Sequence, residues 1–375
     1  MKRRAFLTGS AAAAAAPAVL APLAAAGGVA APAIASGRME WRMVTSWPKG
    51  LPGVGTGAER LARRIGEMTD GRLTVKVFAA GELVPALQCF DAVANGTAEM
   101  AHDAAYYHLS KSEGCAFFTA FPFGLTANEL DAWVQHGGAQ ELWDALYAPF
   151  GLKPFLAGNT GTQMFGWFRK EIRSVADLRG LKIRTPGNNG RILARLGATV
   201  VNVPGGEIYG NLQSGALDAA EWVGPFNDLA LGFYQVAPYY YSPGVQEPGA
   251  GLQLTVSKAK YEALPADLRT VIAQAAQAEN NDMLAEYTAR NGAALATLVR
   301  QHGVRLRRLP EDVLTALGGA ANEVLNEIHG AGDPLTRRII ESYVRFRAEV
   351  VPWSRVGEFT LEQARLLDIP HALRD

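Results

Sequence analysis

Hydrophobic positions along this chain switch period repeatedly, from two to about 3.6 residues and back. Trp41-Arg42-Met43-Val44-Thr45 reads as a strand. Leu61, Ile65 and Met68 then fall on one helical face before the Asp70-Gly71 stop, and Leu73-Thr74-Val75-Lys76-Val77-Phe78 alternates at period two. A second helix is expected to open near Pro85 and close at Asn95-Gly96. It feeds the short apolar run Ala98-Glu99-Met100-Ala101, which stops at His102-Asp103 ahead of Tyr106-Tyr107. Strands and helices alternating in this way are βαβ units, so the first lobe is α/β.

The phrase recurs further on. Leu181-Lys182-Ile183-Arg184 is a strand stopped by Pro186-Gly187, Ile192 to Leu196 is helical, and Thr199-Val200-Val201-Asn202-Val203 is a strand closed by Pro204. Glu207 to Gln213 is helical again and a strand from Ala216 to Ala220 follows. The joins Asn95-Gly96-Thr97-Ala98-Glu99-Met100-Ala101 and Ser214-Gly215-Ala216-Leu217-Asp218-Ala219-Ala220 share a helix-stopping Gly, an acid three residues later and small residues after it. Two similar α/β lobes in tandem are therefore expected.

Between Pro265 and Gly303 there is no proline and one glycine, Gly292, while Leu268, Val271, Ile272, Ala275, Leu284, Tyr287, Leu295 and Leu298 mark apolar faces. One helix here would span on the order of 50 Å and run along both lobes. Breaks near Asn280-Asn281 or Asn291-Gly292 would make it two. Leu335, Ile339, Ile340, Tyr343, Phe346 and Val350 give a helix from about 334 to 351 an apolar surface, followed by Pro352-Trp353 and another short helix. Such a tail packs on its own lobe or reaches a second subunit to form a homodimer. The expected organisation is residues 36–161 with about 245–285 as lobe I, 162–244 with about 286–330 as lobe II, and a helical extension over 331–375.

Composition changes the picture at the start of the chain. Met1-Lys2-Arg3-Arg4-Ala5-Phe6-Leu7 sets a twin arginine before an aromatic-aliphatic pair, and an Ala-rich stretch runs to the small-x-small site Ala33-Ile34-Ala35. This reads as a cleaved twin-arginine signal over residues 1–35, hence as export of a folded protein to the periplasm. Residues 10 to 36, with three prolines and mostly alanine, are too weakly apolar for a committed membrane span. The remaining 340 or so residues suffice for two lobes of ~150 each. The chain has 36 basic and 36 acidic residues; without Lys2, Arg3 and Arg4 the balance is 33 to 36, a net charge of −3. With no Lys/Arg run, nucleic acid is not an expected partner. Cys89 and Cys115 either pair in the oxidising periplasm or serve as small buried hydrophobes.

Open α/β sheets bind ligands beyond the carboxyl ends of their strands. Arg184, Glu221-Trp222 and Tyr106-Tyr107 sit at such ends. An arginine fork there suits a carboxylate, the alternative being a solvated surface arginine. Glu221, flanked by Ala219, Ala220, Trp222 and Val223, needs a cation or an arginine nearby. The rival class is a secreted metal-dependent enzyme acting on a small carboxylate. Against it, the six histidines (102, 108, 136, 302, 329, 371) are scattered, without His-Glu-x-x-His, Gly-x-Ser-x-Gly or Cys-x-x-Cys. His102-Asp103 with His108 is the nearest approach to a metal cluster, at a spacing that is more often structural.

The run Gly180-Leu181-Lys182-Ile183-Arg184-Thr185-Pro186-Gly187, then Gly197-Ala198, Glu207-Ile208-Tyr209 and Gln213-Ser214-Gly215-Ala216-Leu217-Asp218-Ala219-Ala220-Glu221-Trp222 resembles the solute-binding subunit of tripartite ATP-independent periplasmic (TRAP) transporters. Glu221-Trp222-Val223-Gly224-Pro225, with Gln163 in Gly161-Thr162-Gln163-Met164-Phe165, is similar to the branch that binds small 2-oxo and 2-hydroxy monocarboxylates with a metal ion. The resemblance implies a two-lobed α/β periplasmic binding protein without catalysis, which hands its ligand to a membrane permease. It implies Arg184 as the bidentate carboxylate anchor, and Glu221, the Trp222 carbonyl, Gln163 and Glu247 around Na⁺ or Ca²⁺. Tyr106, Tyr107, Asn159, Phe165 and Phe226 would line the wall. Oxygen-only ligands suit such a hard ion. Gln163 as a loop cap, Glu247 as a turn acid before Pro248, and Tyr106 and Tyr107 as hinge packing are the alternatives.

Overall fold

The computed structural model describes residues 37–367; the expected signal segment lies outside them. Two mixed sheets form the framework. The first contains β1 (Met39–Thr45), β2 (Leu73–Phe78), β3 (Met100–Asp103), β4 (Leu152–Asn159) and β10 (Gly251–Ser257), in the order β2-β1-β3-β10-β4. The second contains β5 (Gly166–Phe168), β6 (Lys182–Arg184), β7 (Thr199–Val201), β8 (Ala219–Ala220), β9 (Tyr239–Ser242) and β11 (Arg305–Arg308), in the order β11-β9-β5-β8-β6-β7.

The two sheets repeat one plan. β1 pairs parallel with β2 and β3, as β6 does with β7 and β8. An antiparallel strand then closes each set, β10 against β3 and β5 against β8. The two joins noted in the sequence do the same work. Gly96 and Gly215 turn left-handed at φ 81° and 79°, a conformation that glycine adopts without a Cβ penalty. Three residues on, Glu99 accepts the Arg42 amide at 2.8 Å and Asp218 accepts the Lys182 amide at 3.0 Å, so each acid clamps the neighbouring strand.

The closing strands were not legible as such. β10, buried along nearly its whole length, comes from a segment without clear alternation. Other expectations shift at their ends. The second helix starts at Cys89, because residues 85–88 form a turn in which Gln88 N–H bonds Pro85 O at 3.0 Å. β8 keeps only Ala219–Ala220, the chain still leaving its helix through a Leu217 N–H to Asn211 O bond.

Ala266–Arg300 is one helix of 35 residues, so neither Asn280-Asn281 nor Asn291-Gly292 breaks it. At ~1.5 Å per residue it is about 50 Å long. Glu279, fully buried, takes Arg60 at 2.6 Å and Arg64 at 3.0 Å from the helix Val54–Met68, tying it to the first sheet's layer. Tyr287 donates to Asn227 at 2.8 Å, and Asn291 accepts the Phe226 amide at 3.0 Å, tying it to the helix Pro225–Leu231 beside the second sheet.

The C-terminal helix runs from Pro334 to Val356, through Pro352, with a short helix Glu358–Arg365 after it. Its first half packs on the chain's own lobe: Ile339, Ile340 and Tyr343 are buried, Trp133 donates to Ser342 at 3.1 Å, and the Tyr343 hydroxyl accepts the Leu125 amide at 2.9 Å. Its end and the short helix after it, to Leu366, leave Trp353, Val356, Phe359, Leu361 and Leu366 exposed. Cys89 and Cys115 are both free and buried, and burial holds the Cys115 thiol up at about 12. No helix among the described residues is long and apolar enough to cross a membrane.

Candidate functional site

Strand ends and two of the three crossings between the sheets converge on one buried cleft. Arg184 ends β6 and Glu221 follows β8; both are essentially inaccessible, at 1% and 0%. Tyr106 and Tyr107 follow β3, and Asn159 ends β4. The crossing from β4 to β5 carries Gln163 and that from β9 to β10 carries Glu247. These crossings lie side by side, with Gln163 N–H on Glu247 O at 3.1 Å and Thr160 N–H on Ala250 O at 3.1 Å. Gly244 is needed there, since a Cβ on it would lie 2.0 Å from the Gln163 carbonyl oxygen.

Arg184 is only partly satisfied. Its Nε donates to Val203 O at 3.1 Å, while Nη1 donates to Glu221 O at 2.7 Å and to Glu221 Oε2 at 3.3 Å. Nη2 has no partner. The guanidinium lies over the Trp222 ring, 5.2 Å from its centroid. Trp222 meets Trp47 edge-on at 6.4 Å, and Trp47 also borders Tyr107. The Tyr106 hydroxyl donates to Glu247 Oε2 at 3.4 Å. Gln163 uses its amide nitrogen on Thr160 Oγ1 at 2.9 Å, which leaves Oε1 free.

Orphaned polar atoms concentrate here. Of 13 buried side-chain N and O atoms without a partner among the described residues, eight belong to this cleft: Asn159 Nδ2, Gln163 Oε1, Arg184 Nη2, both amide atoms of Asn188, Glu221 Oε1, Trp222 Nε1 and Gln246 Oε1. Native interiors leave few such groups unpaired, each costing ~1–3 kcal/mol, so a cluster marks a place where something else supplies the partners. The two acids agree. Burial, then the nearby Glu247 charge, pushes the Glu221 carboxyl well above its ordinary range, with Arg184 opposing. Burial pushes Glu247 up to about 8, against Arg184 and the Tyr106 hydroxyl. Two buried carboxyls beside one arginine lack one positive charge.

Of the residues singled out from sequence, Arg184, Glu221, Trp222, Gln163, Glu247, Asn159, Tyr106 and Tyr107 come together. Phe226 and Phe165 do not show this convergence. The Phe226 ring is drawn to Tyr287 and Arg290 on the long helix, and Phe165 stacks on Phe168 at 5.9 Å inside the core. His102, Asp103 and His108 hold protein partners. Trp47 donates to His102 at 2.8 Å, His102 Nε2 lies 3.0 Å from Ala157 O, His108 pairs with Asp103 at 2.7 Å, and Gln253 donates to Asp103 at 2.6 Å.

Sequence reasoning passed over Asn188, Gln246 and Asp228. Asp228 is buried, and burial raises its carboxyl to about 7. It takes Trp167 at 2.8 Å and Tyr240 at 2.7 Å and accepts the Val223 amide at 3.4 Å, which shapes the turn after Trp222. Its acid, at the fourth position of a seven-residue helix, carries no sequence signal of burial. Gly205 fixes the other side of Trp222, since a Cβ there would stand 2.3 Å from the indole. Gly205→Ala is therefore expected to displace the ring from its place against Arg184 and weaken ligand binding, at a stability cost of ~1–3 kcal/mol. Calorimetric titration with thermal unfolding checks this; undiminished affinity would remove Trp222 from the binding wall.

Residues 43–330 match the family model for bacterial extracellular solute-binding protein, family 7. A monocarboxylate 2-oxoacid-binding periplasmic protein of Nostoc sp. is 43% identical over 324 residues, 86% of this chain and 88% of that one. A TRAP transporter solute-binding protein from Bordetella bronchiseptica, a dimer with copurified calcium and picolinate, superposes with a TM-score of 0.85 at 38% identity, covering 87% of this chain and 97% of that one. One from Pseudoalteromonas atlantica with bound sodium and pyruvate superposes at 0.84 with 39% identity, covering 89% and 100%. By the family match and these likenesses over almost the whole length, the chain belongs to the bacterial extracellular solute-binding proteins of family 7.

Proposed function

We propose that this protein captures a small 2-oxo or 2-hydroxy monocarboxylate together with a hard cation, Na⁺ or Ca²⁺, in the periplasm and delivers it to a TRAP membrane permease without chemical change. The observation that carries this reading is the set of orphaned atoms around Arg184, donors and acceptors of the right kinds in one buried cleft. Arg184 receives the carboxylate through its free Nη2 in place of the bidentate fork expected from the resemblance, because Nε and Nη1 are held by Val203 and Glu221. Glu221 and Gln163, with unpartnered oxygens, together with Glu247 and the Trp222 carbonyl, offer an all-oxygen set that suits such a cation. The cation supplies the positive charge that the two buried carboxyls lack. Asn159, Tyr106 and Tyr107 complete the wall.

Residues 36–161 with about 245–285 and 162–244 with about 286–330 form the two lobes that close on the ligand, the long helix backing both. Residues 1–35 direct folded export by the twin-arginine route. The exposed apolar row from Trp353 to Leu366 covers a second subunit in a homodimer. Native mass spectrometry of protein taken from the periplasm without dialysis tests these points at once. The expected masses are a dimer lacking about 35 residues per chain, each subunit carrying one small acid and one cation. Turnover of such acids by the purified protein would instead favour a secreted enzyme.

The buried carboxyls also set a pH dependence. Glu247 keeps its proton in the folded chain up to about 8, whereas the unfolded chain loses it near the ordinary 4.5. The folded state then holds the extra proton, so this group's contribution to the stability of cation-free protein falls as pH rises through that window. Calcium, which requires the ionised form, opposes the fall. Melting temperatures of wild type and Glu247→Gln between about pH 5 and about pH 8 read this contribution as their difference. A difference independent of pH would show that Glu247 is ionised throughout.

A further inference from the structure

Asn188 is the one cleft residue with both amide atoms, Nδ2 and Oδ1, buried and unpartnered, in a residue 1% exposed. It sits in the first turn of the helix Gly187–Arg195, directly beyond the β6 end that places Arg184. That turn faces the tyrosines: a Cβ on Gly187 would lie 3.3 Å from the Tyr106 ring. The next residue, Asn189, satisfies its amide locally by donating to Thr185 Oγ1 at 3.0 Å, so the turn itself does not force an asparagine to go unpaired.

The remaining orphans fit the ligand head. A 2-oxo acid presents three oxygens, two of its carboxylate and one of its keto group. Three free donors match them in number: Arg184 Nη2, Asn159 Nδ2 and Trp222 Nε1. The free oxygens of Gln163 and Glu221 answer the cation. Asn188 and the Gln246 oxygen are left over, and of these only Asn188 offers one donor and one acceptor. An alkyl tail would bury both unpaired, which is costly. A hydroxyl group is also one donor and one acceptor, and it satisfies both amide atoms.

Resting on the carboxylate-binding reading above, we propose that Asn188 selects for a hydroxyl on the carbon beyond the 2-oxo group, so that the preferred ligand is a short hydroxylated 2-oxo acid rather than an alkyl one. The test compares hydroxypyruvate with 2-oxobutyrate, which have the same heavy-atom skeleton and differ by a hydroxyl in place of a methyl. Both are titrated calorimetrically into calcium-loaded protein, with pyruvate as reference.

The hydroxylated acid is expected to bind at least about tenfold tighter than 2-oxobutyrate, as sites built to hydrogen-bond a hydroxyl reject analogues that lack it. Asn188→Leu should invert that ratio and Asn188→Ala should bring it near one. Reading a ratio within each variant cancels any general loss of fold or affinity. Equal affinities in the wild type would overturn the proposal and assign the Asn188 partners to water. A wild-type preference that survives in both variants would overturn the assignment to Asn188. If pyruvate and both test acids fail to bind, the carboxylate-binding reading itself falls.

Discussion

Arg184→Lys is expected to weaken 2-oxo acid binding by ~2–5 kcal/mol, that is by about 30-fold to several thousandfold in Kd, with the fold retained. The guanidinium is already committed on two sides. Nε reaches Val203 O, and Nη1 reaches both the carbonyl and the carboxylate of Glu221. Only its planar fork lets it hold those partners and still aim Nη2 into the cleft. A lysine keeps the positive charge beside Glu221, so no buried acid is stranded. Its single nitrogen cannot serve the protein and the ligand carboxylate together. Calorimetric titration reads the loss and thermal unfolding confirms the fold. An unchanged Kd would make Arg184 a structural clamp between β6 and residue 203.

The second large effect is mutual dependence of acid and cation. Glu221→Gln should weaken both, and chelation of the wild type should weaken the acid by ~1–3 kcal/mol, roughly 5- to 150-fold. Linkage requires that the acid strengthen the cation by the same factor. The physical cause is the charge balance of the cleft: Glu221 and Glu247 are both buried beside Arg184 alone, and an anionic ligand adds a further negative charge. A cation among these oxygens removes that conflict. Titrations of chelated protein with and without added calcium or sodium measure the coupling. Identical acid affinities in all three conditions would confine the site to Arg184 and its neutral neighbours.

Much of the framework was legible because its signals are local. The Gly96 and Gly215 joins, each followed by an acid at the third position, announced a repeated unit, and Glu99 and Asp218 now show why: each bonds the amide of an adjacent strand. The proline-free stretch after Pro265 reads directly as a helix because helical geometry depends on neighbours three and four residues away. β4, β5, β9, β10 and β11 escaped notice; β5 and β10 are buried along nearly their whole length and so lack alternation, and all five acquire their pairing only across long sequence separations.

The cleft divides along the same line. The sequence alone determined which residues had chemistry to offer: an arginine at a strand end, a glutamate among alanines, and a glutamine and a glutamate in Gly- and Pro-rich crossings. The tertiary structure alone decided their satisfaction. It spent Gln163 nitrogen on Thr160 and left its oxygen free, drew Phe226 onto the long helix, and left both amide atoms of Asn188 unpaired. Whether a buried polar atom has a partner depends on every element that closes around it, and those elements here lie as far apart in the chain as Tyr106 and Glu247.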